Sequence, residues 1–305
     1  MSRERAFIDR LRGFARHPAA RGLADDVAVM PFGGQDLVLT HDMLVEGVHY
    51  LADDPPEDIS WKLVAVNLSD LAAKGAQPVG VLLGYPLGDG DWDARFADGL
   101  GSVLAAFNVP LLGGDTVAGT GPRQLGLTAI GTVAPGTAPA RSGARAGDLL
   151  CVTGTIGGAG LGLACLLAGK ADEPLAQAYR RPQPRLDEGR LIAPRAHAMA
   201  DISDGLLIDA ARIAEASGLA VHVQLDRIPL PPGGPADRDG RIAAATAGDD
   251  YELIFAWPPE LTLPQPETAT ISIVGTFHDG EGLTLSDGEA AVPLPPRLGY
   301  EHGAS

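Results

Sequence analysis

Six short aspartate motifs are spread along this chain, and where they can be placed limits the fold more than any other feature. They read ADD (Asp25, Asp26), THD (Thr40 to Asp42), NLSD (Asn67 to Asp70), GGDT (Gly113 to Thr116), DISDG (Asp201 to Gly205) and GDDYE (Gly248 to Glu252). One aspartate beside Gly, Ser or Thr marks an ordinary turn. Six, four of them at a strand end or helix start, predict a shared site. Carboxylates brought together without partners repel at large cost. Mg²⁺ carrying a phosphate chain is the usual partner, because it takes oxygen ligands and keeps phosphate oxygens in its shell.

At 305 residues the chain exceeds one ordinary core, so two domains are expected. The net charge of −16 argues against a nucleic-acid partner or an anionic membrane surface, either of which needs a basic stripe. An anionic ligand remains compatible where metal ions intervene locally. The start, MSRERAFIDRLRGFARHP, lacks an apolar signal core, and no apolar run is long enough to span a bilayer; a cytoplasmic protein is expected. Cys151 and Cys165 sit in apolar surroundings and read as a buried, reduced pair, and no CxxC or His/Cys cluster points to zinc.

The first part alternates strand and helix. Short strands are predicted at residues 28–32 and 37–40, a helix at 60–74 stopped by Gly75, and a strand at 79–85. A second helix follows at 91–107, then strands at 109–112 and 124–133. The Pro/Gly/Ala-rich stretch 134–148 reads as the boundary between a domain over residues 1–137 and another over 138–305. Beyond it come strands at 149–153, 221–225, 251–256, 271–274 and 283–285, helices at 161–167, 186–193 and 205–216, and a loop at 229–240.

Each motif admits a plain reading beside a functional one. Asn67, Asp70 and Lys74 lie at i, i+3 and i+7, which makes a polar stripe on a helix that is either buried or solvent-facing. Asp42 ends a strand, where ligands sit in α/β layers, or is a turn aspartate. In LLGGDT the glycines let backbone approach a phosphate and Asp115 holds a metal against it, or the motif is a hairpin turn. DISDG places Asp201, Ser203 and Asp204 at a helix start, although one cap needs only one such residue. GTIGGAGLG resembles a dinucleotide loop but has loose spacing, so a tight strand-to-helix connection fits better. DGDWDARFADG begins like a calcium loop, yet Ala94 and Leu100 stand where Gly and Glu belong, and helix-start charges fit better. No GxSxG elbow or Cys–His motif supplies a covalent nucleophile, and His49 is either structural or turned into the same cleft.

Taken in order, ADD, THDMLVEGVH, KLVAVNLSDLAAKGAQP, GGDT, RSGARAGD, DISDGL, GDDYEL and the terminal GYEH resemble the thiamine-monophosphate kinase family. That family shares a superfamily with aminoimidazole ribonucleotide synthetase and selenophosphate synthetase. The resemblance implies a two-domain α/β (α+β) fold whose N-terminal sheet forms a barrel across a homodimer. It implies ATP-dependent phosphorylation of thiamine monophosphate to thiamine diphosphate, the last step in making that cofactor, by in-line transfer of the γ-phosphoryl group. Such transfer needs mainly positioning and charge neutralisation. By the same resemblance Asp26, Asp42, Asp70, Asp115 and Asp201 hold several Mg²⁺ ions, with Thr40, His41 and Asp204 contributing. Gly114, Asp115, Arg141 and Ser203 contact ATP, and His49, Asp249 and Tyr300 bind the substrate, Tyr300 through its aromatic face. His41 stands for the family's usual Ser or Thr, Ala24 for Gly, and Asp249 for Glu, one methylene shorter. Selenophosphate synthesis wants an N-terminal cysteine, and none precedes Cys151; a carbamoyl-transfer relative wants a terminal one, where this sequence reads GYEHGAS. A metal-dependent phosphohydrolase and a plain divalent-ion binder are the remaining alternatives.

Overall fold

Two sheets organise the computed structural model, which describes residues 3–170 and 174–301. Residues 302–305, which complete the GYEH motif and the tail, lie outside the described residues. After helix α1 (Arg3–Arg12), β1 (Ala28–Phe32) and β2 (Gln35–Val45) form a hairpin. Helix α2 (Pro56–Ala72), β3 (Gln77–Leu87), α3 (Gly90–Ala106), β4 (Leu111–Ala118) and β5 (Gln124–Val133) complete the first layer. The strand order is β1-β2-β5-β3-β4, antiparallel except where β3 meets β4. The sheet is open at both edges, so the expected barrel is not closed within one chain.

The second sheet takes β6 (Leu149–Thr153), β7 (Ala198–Asp201), β8 (Ala220–Gln224), β9 (Leu253–Trp257), β10 (Ile271–His278), β11 (Gly282–Asp287) and β12 (Ala290–Val292). Their order is β12-β11-β8-β10-β6-β9-β7. Helices α4 (Gly158–Leu167), α5 (Pro174–Arg180), α6 (Leu186–Ile192), α7 (Leu206–Ser217) and α8 (Arg238–Thr246) accompany it. Helix α7 is amphipathic: Leu206, Leu207, Ala210, Ile213 and Ala214 enter the core, and Gly218 ends it in the left-handed conformation. The two-part mixed α/β architecture is as the sequence predicts.

Helix α2 joins the halves. It packs against β2 and β5 on one side and against α6, α5 and β7 on others, so nearly every residue from Pro56 to Ala72 is buried. A helix enclosed all round is hydrophobic all round, which makes its buried polar residues Asp58, Ser60, Lys62, Asn67, Ser69 and Asp70 exceptional. Gly75 ends the helix at φ +64°, and a Cβ there would lie 2.5 Å from that of Ala193. The polar stripe is therefore the buried one.

Four local expectations are corrected. Strand β2 runs past Thr40 to Val45 because its alternation pairs with β5 over ten residues, so Asp42 lies inside a strand. GGDT lies within β4 and not in a turn after it; Gly113 and Gly114 sit at φ +154° and +155°. A Cβ on Gly114 would meet the Leu83 carbonyl oxygen at 1.9 Å. Asp201 ends the buried strand β7 instead of opening a helix. The segment read as a loop gives way at Arg238 to α8, capped by Asp237 accepting from the Gly240 N–H at 2.8 Å. The tempting DGDWDARFADG starts α3, with Asp89 as its cap, and GTIGGAGLG connects β6 to α4. Both cysteines are free thiols; Cys151 is buried, and burial pushes its thiol up to about 12. Among the described residues, no helix is long and apolar enough to cross a membrane.

Candidate active site

Three distant segments deliver carboxylates to one point. Asp26 precedes β1, Asp70 lies on α2 and Asp201 ends β7, and each offers an oxygen within 4.8 Å of the others. The Thr40 hydroxyl donates to Asp70, and the Ser69 hydroxyl donates to Asp201 at 2.6 Å. Asn67 uses its side-chain carbonyl to accept the Asp42 N–H at 2.9 Å. Thr40 and Asp42 share the covered face of β2.

Charge in this cluster is unbalanced. Burial raises the Asp26 carboxyl, but the Arg141 guanidinium and the Lys74 ammonium outweigh it and hold it down to about 2. Lys74, fully buried, pairs with Asp25 at 2.5 Å and Asp26 at 3.0 Å. Among the described residues Asp70 makes no ion pair: burial, then repulsion from Asp42, Asp201 and Asp26, push it well above the usual carboxylate range. Asp201 is driven up by burial and Asp26 against the Ser69 hydrogen bond, and Asp42 to about 6 by burial, Asp26 and Asp204. An all-oxygen donor set with excess negative charge suits a hard divalent cation.

DISDG and GDDYE are hydrogen-bonded to each other. The Asp249 N–H donates to the Ser203 carbonyl and the Tyr251 N–H to that of Ile202, both at 2.8 Å. These bonds hold Asp249 at φ +69° and Tyr251 at φ +52°, a left-handed region that side chains enter at a cost. Beside them opens a cavity of about 660 Å³, whose walls include Asp42, His49, Ser203, Asp204, Asp249 and Tyr300. His49 Nδ1 accepts from the Val45 N–H at 3.0 Å, which places the ring proton on Nε2. Asp204 is held by Arg212 at 2.5 Å, and the same guanidinium reaches Asp209 at 2.8 Å. Asp209, which no motif singled out, accepts the Asp204 and Gly205 N–H groups at 3.1 and 3.2 Å and thus caps α7 from within.

The acids of GDDYE divide their work. Glu252 is bound by Arg185 through two hydrogen bonds, at 2.7 and 2.5 Å, and by the Thr153 hydroxyl at 2.6 Å. Asp250 accepts the Gly157 and Ala159 N–H groups at 2.7 and 3.2 Å, at the start of α4. Burial lifts the Asp250 carboxyl to about 7 despite those amides. A folded value raised above the ordinary 3.8 contributes stability that is whole below pH 3.8 and lost as pH rises through about 7. Asp250→Asn should therefore gain on the wild type between pH 4 and 8, by on the order of a few kcal/mol. Paired thermal melts across that range check it; a difference independent of pH would refute it.

Two expected groups stand apart. His41 points to the opposite face of β2 from Thr40 and Asp42, is exposed, and hydrogen-bonds Thr128 at 2.9 Å, so its imidazole does not join the carboxylates. Gly114 and Asp115 lie on the exposed edge strand β4. The register Asp42–Leu127–Leu83–Gly114 crosses three strand spacings, about 14 Å. Arg141 is at the cluster, bound to Asp26. Lys62, Ser69 and Tyr251 lie within the quoted motifs but are not singled out by them, and Tyr179 lies in none; the available signal for Lys62 and Ser69 is polarity inside a mostly apolar helix.

Residues 24–133 match the N-terminal domain and residues 145–285 the C-terminal domain of AIR synthase related protein. Two such domains, meeting at shared carboxylates, make this chain a member of the AIR synthase related family. Within it, the chain belongs to the thiamine-monophosphate kinases. The Caulobacter vibrioides protein of that name is 42% identical over 94% of this chain and 86% of its own length. The Escherichia coli one is 36% identical over 98% and 96%. The solved structure of "AaThiL complexed with AMPPCP and TMP" superposes with a TM-score of 0.84 at 28% identity, covering 97% of this chain and 96% of that one.

Proposed function

We infer that this protein transfers the γ-phosphoryl group of ATP to the phosphate of thiamine monophosphate, yielding ADP and thiamine diphosphate. The convergence of Asp26, Asp70 and Asp201 beside a cavity of about 660 Å³ carries the reading. Family membership and a solved relative complexed with AMPPCP and TMP support it. Mg²⁺ fits the oxygen donors present, and Asp26, Asp42, Asp70 and Asp201 would hold it, with Asp204 at the cavity wall. When bound, it neutralises the carboxylates and the triphosphate together. Arg141, already turned to Asp26, is suited to clamp a phosphate, with Ser203 on the cavity wall and Gly114 and Asp115 on the nucleotide side. His49, Asp249 and Tyr300 orient the substrate, whose own phosphate oxygen attacks in line. The chain thus acts by position and charge.

The finer reading of the first sheet is a homodimer with a barrel between copies. Strand β4 is exposed along its whole length, and Val79, Leu82, Leu111, Leu112 and Val117 leave apolar surface uncovered. Gly114 and Asp115 lie on that strand, so the copy that covers it also encloses the nucleotide. A single sedimenting species of one chain's mass would overturn this arrangement. For the activity, purified protein with Mg²⁺, ATP and thiamine monophosphate should form thiamine diphosphate in step with ADP. No product would sink the kinase reading, and inorganic phosphate released without ATP would favour a phosphohydrolase.

A further inference from the structure

One buried cation lies outside the carboxylate cluster and faces the cavity wall. Lys62 sits in the second turn of α2, at 1% exposure. Its ammonium donates to Asp249 Oδ2 at 2.9 Å and to the His49 carbonyl at 2.8 Å, and lies 3.8 Å from the Tyr179 ring centroid. The Tyr179 hydroxyl donates to the same carbonyl at 3.2 Å, and the Tyr251 hydroxyl donates to Asp249 Oδ1 at 3.0 Å. Stability alone does not explain this lysine. Replacing a buried ion pair by well-packed apolar side chains is often neutral or stabilising, and its helix neighbours Leu63, Val64, Val66 and Leu68 are packed that way.

We propose that Lys62 is a positioning residue for the substrate: it fixes Asp249 and the His49 carbonyl and cancels the charge of Asp249. This rests on the reading of the cavity as the thiamine monophosphate site. An aspartate paired with an ammonium offers lone pairs without net charge. It therefore suits a neutral N–H donor, such as the amino group of an aminoheteroaromatic ring, better than a cationic ring. The thiazolium is left to the aromatic face of Tyr300. The shorter aspartate is consistent with this division, because the ammonium and the Tyr251 hydroxyl hold one oxygen each while the carboxylate still lines the cavity, where its remaining lone pairs can accept from a substrate donor.

The test is a double-mutant cycle in steady-state kinetics, using Lys62→Met, Asp249→Asn and the pair, with ATP and thiamine monophosphate varied separately. Lys62→Met should raise KM for thiamine monophosphate about tenfold, leaving kcat within about threefold and KM for ATP unchanged. On the Asp249→Asn background the same substitution should change KM by less than about threefold, because its effect runs through that carboxylate. If Lys62→Met alone loses its cooperative melt, the double variant, which removes both charges, should recover it. The comparison then moves to Asp249→Asn against the pair. Additive effects across the cycle, or equal losses for both substrates with KM for thiamine monophosphate unmoved, would overturn the proposal. A wild type that forms no thiamine diphosphate defeats the activity reading instead, so the two failures are distinguishable.

Discussion

Asp70→Asn is expected to lower turnover by about a thousandfold or more while raising the melting temperature of the metal-free protein. Both effects follow from one repulsion. Asp70 is buried, faces Asp42, Asp201 and Asp26, and has the Thr40 hydroxyl as its one compensation. Its folded pKa is raised, so its contribution to stability is present at low pH and lost as pH rises toward neutrality. Asparagine keeps the shape and removes the charge, so the variant's advantage should grow with pH. The wild type should gain melting temperature on adding Mg²⁺, and the variant should gain little. A variant that still turns over, or a wild type indifferent to Mg²⁺, would remove Asp70 from the metal-binding role.

Lys74→Met acts in the opposite sense. Lys74 is fully buried, and removing it leaves the carboxylates of Asp25 and Asp26 with Arg21 and Arg141 as their remaining ion-pair partners among the described residues. Breaking one side of a buried ion pair costs about 3–5 kcal/mol. Burial alone would depress the lysine, but Asp26 and Asp25 more than reverse this and raise it. Its stabilisation is therefore complete at neutral pH and is lost only in alkali. The urea midpoint should fall with an unchanged slope. A shift below about 1 kcal/mol would show that water, not this lysine, balances the pair.

Periodicity carried much of the fold. Strands β1, β5 and β6 and helix α7 were legible because alternation or a stripe of Leu, Ile and Ala ends at a turn residue such as Gly218. Strand β7 was not, since AMAD is four residues long and buried throughout, leaving no alternation to read. Strand β4 was cut short because two adjacent glycines signal a turn, whereas here both lie inside the strand at large positive φ, and Gly114 leaves no room for a Cβ against the Leu83 carbonyl. At the site, the aspartate motifs and the family resemblance they carry pointed to Asp26, Asp70 and Asp201, which meet. It did not tell His41 from Thr40, because which side of a strand is covered depends on the layer packed upon it. Nor did it locate Asp115 relative to Asp42, since that separation depends on strand order. Lys62 belongs to no aspartate motif, and its partner lies 187 residues away.

Helix α2 also acts as a ruler. Lys62 and Asp70 are eight positions apart on one rod, about 12 Å at 1.5 Å per residue. The spacing between substrate wall and reacting centre is thus set by helical pitch and is insulated from drift in the loops. One residue inserted between them would turn everything beyond it by about 100° and carry one of the two groups off its station. The stretch 134–148, with no element of its own, is tied to the cluster through Arg141, which reaches Asp26. Lengthening it away from that arginine would leave the Lys62–Asp70 spacing as it is, so change over evolution is expected to collect there and to spare this helix.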